Sequence, residues 1–189
     1  MPKKNMLNLF LIMKNYTFFA ALFVVFFAGH SALARNVDLA VGFDYKGLNQ
    51  HMQLYTLKDG VLDTVAKTRV VKSLAKAPVG KLIQGSLKMK AGEGQTFVLV
   101  MNNKSDKDIF FFAAPHIPSP PEASIGFFFE CLCNSHVYKV TPHSIWYRVV
   151  RLEINEDFSP AKAEIRHTIV GVKAADVGTK YTKVIFNEE

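Results

Sequence analysis

Beyond residue 36 the chain consists of short apolar runs broken by polar, Gly- and Pro-bearing turn signals, and no stretch keeps a helical period. Residues 37–45 and 51–57 read as strands on either side of Lys46-Gly47-Leu48-Asn49. Lys58-Asp59-Gly60 predicts a hairpin turn, because Asp-Gly supplies the positive backbone torsions that a tight turn needs, with residues 61–71 returning from it. Pro78, Gly80 and Gly85 punctuate the next stretch. Residues 86–90, 96–102 and 109–114 are further strands, joined by Ala91-Gly92-Glu93-Gly94 and by the polar run 103–108. Pro115, Pro118, Pro120 and Pro121 are unfit for a central strand, so residues 116–123 are expected as a loop. Residues 127–133, 146–154 and 163–172 complete the set, and 181–186 is an edge strand or a tail. Roughly seven to nine short strands at this spacing predict an all-β fold, an immunoglobulin-like antiparallel β-sandwich.

The first 34 residues carry a different pattern. Lys3, Lys4 and Lys14 precede or flank an apolar run from Tyr16 to Gly29, no acid occurs before Asp38, and Ala32-Leu33-Ala34 places small residues where a signal peptidase inspects them. The run is shorter than the ~20 residues of a membrane-spanning helix. Residues 1–34 are therefore expected to be a signal peptide, with an uncleaved membrane anchor as the alternative, and residues 35–189 a single β-sandwich domain. The leader predicts export of that domain.

Composition narrows the function classes. Hydrophobic residues make up 49% of the chain, enough for a core, and charged residues 21%, too few for a disordered polymer. The formal charge is +7, and removing three leader lysines leaves about +4, spread along the chain rather than grouped. Nucleic acid is not an expected partner. No Gly-rich phosphate loop occurs, no Ser-His-Asp set has a recognisable context, and the spacing of Glu122, Glu130, Glu153 and Glu156 pairs no two carboxylates around a shared cleft. An enzyme is not expected.

The chemistry concentrates at the two cysteines, Cys131 and Cys133. In an extended strand, side chains two apart emerge on one face, with α-carbons about 6.6 Å apart. A disulfide at that separation is strained, and it closes almost no loop. Two thiolates on one face suit copper(I), a soft monovalent ion content with few ligands, whereas zinc wants four. His136 is the one nearby candidate for a third ligand, while His116 and His143 would have to arrive through folding. A thiol–disulfide site and a structural sandwich whose cysteines merely bridge are the alternatives. Met101 reads as core, as do Trp146, Tyr147 and the Phe127–Phe129 cluster.

The order of elements around the cysteines adds a resemblance. Gly92-Glu93, the apolar run 97–101, Asn103-Lys104-Ser105-Asp106, Ala113-Ala114-Pro115, the prolines 118–121 and Glu122-Ala123 lead to Gly126-Phe127-Phe128 and Cys131-Leu132-Cys133. Thr141-Pro142, Val149-Val150-Arg151-Leu152, Glu156-Asp157-Phe158 and His167-Thr168-Ile169 follow. From about residue 90 to 172 the chain thereby resembles the CtaG family of cytochrome c oxidase assembly proteins, the copper donors for the CuB site. Leu132, Asn134 and Phe128 depart from the family's phenylalanine, aromatic and basic residues at those places. The resemblance implies an immunoglobulin-like domain on the outer side of the bacterial inner membrane. It also implies copper(I) on Cys131 and Cys133, a homodimer sharing the metal as one arrangement, and transfer to an oxidase subunit or another copper enzyme.

Overall fold

The apolar alternation becomes two stacked sheets in the computed structural model, which describes residues 35–61, 67–125, 127–129, 132, 136–181 and 183–186. Thirteen strands occur among them: β1 (Asn36–Lys46), β2 (Met52–Leu57), β3 (Thr68–Val71), β4 (Val79–Leu82), β5 (Ser86–Lys90), β6 (Gly94–Asn103), β7 (Ile109–Ala113), β8 (Ile117–Ser119), β9 (Phe127–Phe129), β10 (Val137–Val140), β11 (Ser144–Ile154), β12 (Lys162–Val172) and β13 (Val184–Ile185). One sheet runs β13-β10-β7-β12-β1-β5 with β8 appended to β12, and the other runs β3-β11-β6-β2-β4 with β9 appended to β11. The all-β sandwich expected from the sequence is the observed fold.

Alternation decides which face each strand buries. In the first sheet Val37 and Leu39 of β1, Phe111 of β7 and Ala163, Ile165, His167 and Ile169 of β12 are buried. They pack, His167 apart, in one cluster with Phe97, Leu99 and Met101 of β6 and Trp146, Val150, Leu152 and Ile154 of β11. Met101 and Trp146 are thus core, as read. The opposite side of β6 and β11 is buried too. Tyr55, Val98, Val100, Ile145, Tyr147 and Val149 form a second cluster, closed by Ala77 with Leu74 and Val79 packed against it. The stretch from β3 through the 3-10 helix Leu74–Lys76 to β4 therefore lies over the outer face of the second sheet. This explains why β11 is buried at nearly every position and not only at alternate ones.

Four expectations need correction. The Asp59-Gly60 turn forms, with Gly60 at a positive φ, but β3 pairs with β11, not with β2, so the turn closes no hairpin. The place beside β2 is taken by β4, whose Lys81 N–H donates to Thr56 Oγ1 at 2.8 Å. Residues 62–66 of the expected return lie outside the described residues.

The sandwich is also not wholly antiparallel. β1 runs parallel to β12 over nine register pairs, from Asp38 opposite Lys162 to Lys46 opposite Val170. Gly171 makes the end of this pair possible, because a Cβ there would overlap the Gly47 carbonyl.

The proline stretch is not all loop. Ile117–Ser119 pair with β12, Pro118 facing Ile165, which an edge strand tolerates, and a 3-10 helix spans Pro121–Ile125. Lastly, β10 follows the cysteine motif without having been anticipated; four residues leave too short a pattern to stand out.

Candidate metal centre

The cysteine motif hangs between β9 and β10. Of the strand expected over 127–133, Phe127–Phe129 make three pairs with Ile154, Glu153 and Leu152 of β11, and Leu132 sits in a bend. Leu132 leaves the ladder because its side chain goes into the sandwich: it is 0% exposed and belongs to the main core cluster. The regular strand spacing invoked for the two sulfurs is therefore not available at Leu132. Cys131 and Cys133 themselves lie outside the described residues, as do Glu130 and Asn134.

What surrounds Leu132 is defined. The Tyr138 hydroxyl on β10 points to the Leu132 carbonyl at 3.5 Å, a weak hydrogen bond. Tyr138 belongs to an aromatic trio: its ring lies 5.3 Å from Phe111 and 5.3 Å from Trp146, and Phe111 meets Trp146 edge-on at 5.2 Å. The Arg148 guanidinium lies over the Tyr138 ring at 5.9 Å and donates to Thr68 Oγ1 at 2.9 Å. Arg148 is almost fully buried, so a permanent positive charge lies in the core one ring away from the Leu132 carbonyl. Sequence reasoning passed over it. The signal was present, since Arg148 occupies an inward position of the series Trp146, Arg148, Val150, Leu152, Ile154.

The histidines divide into three situations. His136 immediately precedes β10, half-buried, with Nδ1 shielded from solvent. His143 stands at an exposed turn with φ +49, its Nε2 2.7 Å from Asp106 Oδ1. His116, in the connection from β7 to β8, meets His167 of β12 with ring centres 5.3 Å apart, and Phe43 of β1 stacks on His167 with ring centres 6.0 Å apart. His167 is 0% exposed. Burial, then the neighbouring His116, push its pKa down to about 4, against a smaller upward pull from a hydrogen bond to the Ala114 backbone. Burial also lowers His116. His167 too was legible as a polar residue on an inward-facing series, Ala163, Ile165, His167, Ile169.

Two surface clefts are lined by described residues. One, about 400 Å3, is lined by Asn49, Gln50, His51, Gln53, Asn102 and Lys104. The other, about 240 Å3, brings Glu93, Glu153 and Glu156 together beside Arg151, which corrects the expectation that no two carboxylates share a cleft. The β-turn at Gly92 and the end of β11 produce that convergence. Arg151 Nε donates to Glu153 at 2.5 Å, and Lys90 pairs with Glu93 at 3.3 Å, so cations already offset two of the three acids. Among the described residues no three His, Cys, Asp or Glu side chains form a metal-holding group, and no helix is long and apolar enough to cross a membrane. The expected leader lies outside those residues.

Fold and site together define a two-sheet β-sandwich that pins the middle of a Cys-x-Cys motif in its core. The chain belongs to the family described as a domain of unknown function, DUF8709, whose model matches residues 37–172, from the second residue of β1 to the last of β12. No curated protein and no solved structure matches the chain.

Proposed function

We propose that this protein is an exported copper(I) carrier that holds the ion on Cys131 and Cys133, with His136 as third ligand, and passes it to a membrane oxidase subunit or another copper enzyme. The observation that carries the reading is the anchoring of the motif through Leu132, fully buried between two cysteines in sequence. A carrier needs two soft ligands fixed in place yet open to attack by a partner's ligands, and a buried middle residue fixes the motif without adding a fourth ligand. The all-β sandwich agrees with the architecture that the CtaG resemblance implies.

Transfer by this scheme is ligand exchange. A partner docks, its own sulfur or nitrogen joins the ion, and Cys131 and Cys133 leave in turn, each keeping its electron pair. No redox change is involved. Binding to the folded state alone stabilises the fold by RT ln(1 + [L]/Kd), about 4 kcal/mol at a thousandfold excess over Kd. Thermal unfolding of the reduced protein with and without copper(I) tests the proposal: a rise in Tm that Cys131→Ser/Cys133→Ser reduces supports it, and a rise no larger than that of the double variant counts against it.

A further inference from the structure

We propose that His116 and His167 form a second metal site, a pair of imidazoles that takes copper(I), separate in its ligands from the cysteine motif. The inference goes beyond the carrier reading and does not rest on it. The two ring centres are 5.3 Å apart, with the ring planes at 63°. Adding an imidazole radius of about 1.1 Å to a metal–nitrogen bond of about 2.0 Å puts each ring centre about 3.1 Å from a shared ion. Two such arms spanning the observed separation meet at an angle of about 115°, between trigonal and tetrahedral. The ring centres are thus already at chelating distance. In the present edge-to-face contact a shared ion requires His116 to turn its ring so that a nitrogen faces His167.

The two residues divide the work. His167 is fixed: it lies at 0% exposure on β12, stacked against Phe43. The Ala114 carbonyl engages one of its ring nitrogens, and the Ala114 N–H is itself tied to the Thr168 carbonyl at 2.9 Å. A backbone carbonyl holding one imidazole N–H leaves the lone pair on the other nitrogen and sets the ring's direction, the usual support for a metal-binding histidine. His116 is the movable partner. It is only partly buried, and its connection runs on into Ile117, which is 69% exposed.

The charge of the surroundings selects the ion. Among the described residues no third His, Cys, Asp or Glu joins the pair to make a metal-holding group. A divalent cation would bring two charges against Phe43 with no carboxylate to offset them, and zinc would also lack half of its four ligands. Copper(I) brings one charge and accepts low coordination, and imidazole nitrogen is among copper's normal ligands.

The test uses the full chain carrying Cys131→Ser/Cys133→Ser, so that the thiolates cannot contribute. Copper(I) is supplied without oxygen as its bicinchoninate complex, and silver(I) serves as a redox-inert monovalent stand-in. Histidine ring 15N shifts are followed by NMR. The proposal expects one equivalent of either ion, shifts confined to His116 and His167, and a loss of affinity of tenfold or more when His116→Gln is added. His143→Gln should change nothing. Because His116 is partly exposed, its substitution leaves the fold intact even where His167→Gln does not. No uptake, uptake indifferent to His116→Gln, or zinc bound as tightly as copper(I) overturns the proposal. If the unsubstituted chain shows no cysteine-dependent copper while the double variant still loads its histidines, the carrier reading falls and this one stands.

Discussion

Replacing Asn103 with Ala removes a fully buried amide that closes two turns at once. Its Nδ2 donates towards the carbonyls of Lys107 at 2.8 Å, Val140 at 3.0 Å and Thr141 at 3.0 Å. Its Oδ1 accepts from the Ser105 N–H at 3.0 Å and the Ser105 hydroxyl at 2.7 Å. The amide thereby ties the β6–β7 turn to the end of β10 and to the Thr141 turn that enters β11. An amide nitrogen carries two hydrogens, so the three carbonyls share two donated bonds. Two donated bonds and one accepted from a backbone N–H, at about 1 kcal/mol each, account for about 3 kcal/mol, and a stranded buried carbonyl adds about 1–3 kcal/mol. A loss of about 4 kcal/mol corresponds to about 10 °C in Tm for a domain of this size. Urea unfolding followed through Trp146, the chain's one tryptophan and a fully buried one, should show a lower midpoint with an unchanged slope.

Asn103→Asp is the sharper control. It keeps the shape, but a carboxylate oxygen then faces three carbonyl oxygens, so it should be worse than Ala at pH 7. Repulsion and burial hold the new carboxyl's folded pKa above its unfolded value. The folded state therefore binds the extra proton first, and stability relative to Ala recovers as pH falls through the folded pKa. A loss below about 1 kcal/mol for Ala, or an Asp variant equal to Ala at every pH, would refute the keystone role.

Three further outcomes are expected. Leu132→Ala should cost about 2–5 kcal/mol in urea unfolding, the range for emptying a fully buried leucine site, whereas an exposed Leu132 would show almost no change. Gly171→Ala forces a Cβ against the Gly47 backbone and should cost about 1–3 kcal/mol, with faster amide exchange at the end of β1 and in β12; unchanged exchange there would contradict the close approach. In metal-free protein, His167 lowers stability as pH falls. Its folded pKa is about 4 and its unfolded value about 6.5, so the unfolded state binds the proton first, and about 3 kcal/mol is lost between those two pH values. A His167→Gln chain should lack that limb in a pH series of unfolding curves, and an identical limb would place the acid sensitivity elsewhere.

Most of the fold was legible because alternation is a local signal. β1, β2, β5, β7, β11 and β12 fall within two residues of their expected bounds, and each shows a run long enough for its period to stand out. Partnership was not legible. Nothing in Lys58-Asp59-Gly60 reveals that the following strand crosses to β11, where Thr68 meets Arg148, 80 residues away. The parallel β1–β12 pair and the cover over the second sheet are equally non-local. At the site, the Cys-x-Cys motif was visible at once, but its setting was not. Leu132 counted as a departure from a family pattern, and only the three-dimensional arrangement reveals it as the buried anchor. His167 and Arg148 did leave a signal, each a lone polar residue in an apolar alternating series, but it gains meaning only once the inward face is known. The shared cleft of Glu93, Glu153 and Glu156 comes from a turn meeting a strand end, which linear spacing does not encode.

The carrier reading is tested most directly by copper(I) stoichiometry on the reduced chain against a competing chelator, beside the Cys131→Ser/Cys133→Ser form. The account predicts an ion retained by the thiolates under competition and lost from the double variant, which keeps at most the weaker histidine-held ion. A reduced chain that retains no more copper(I) than its double variant would contradict it.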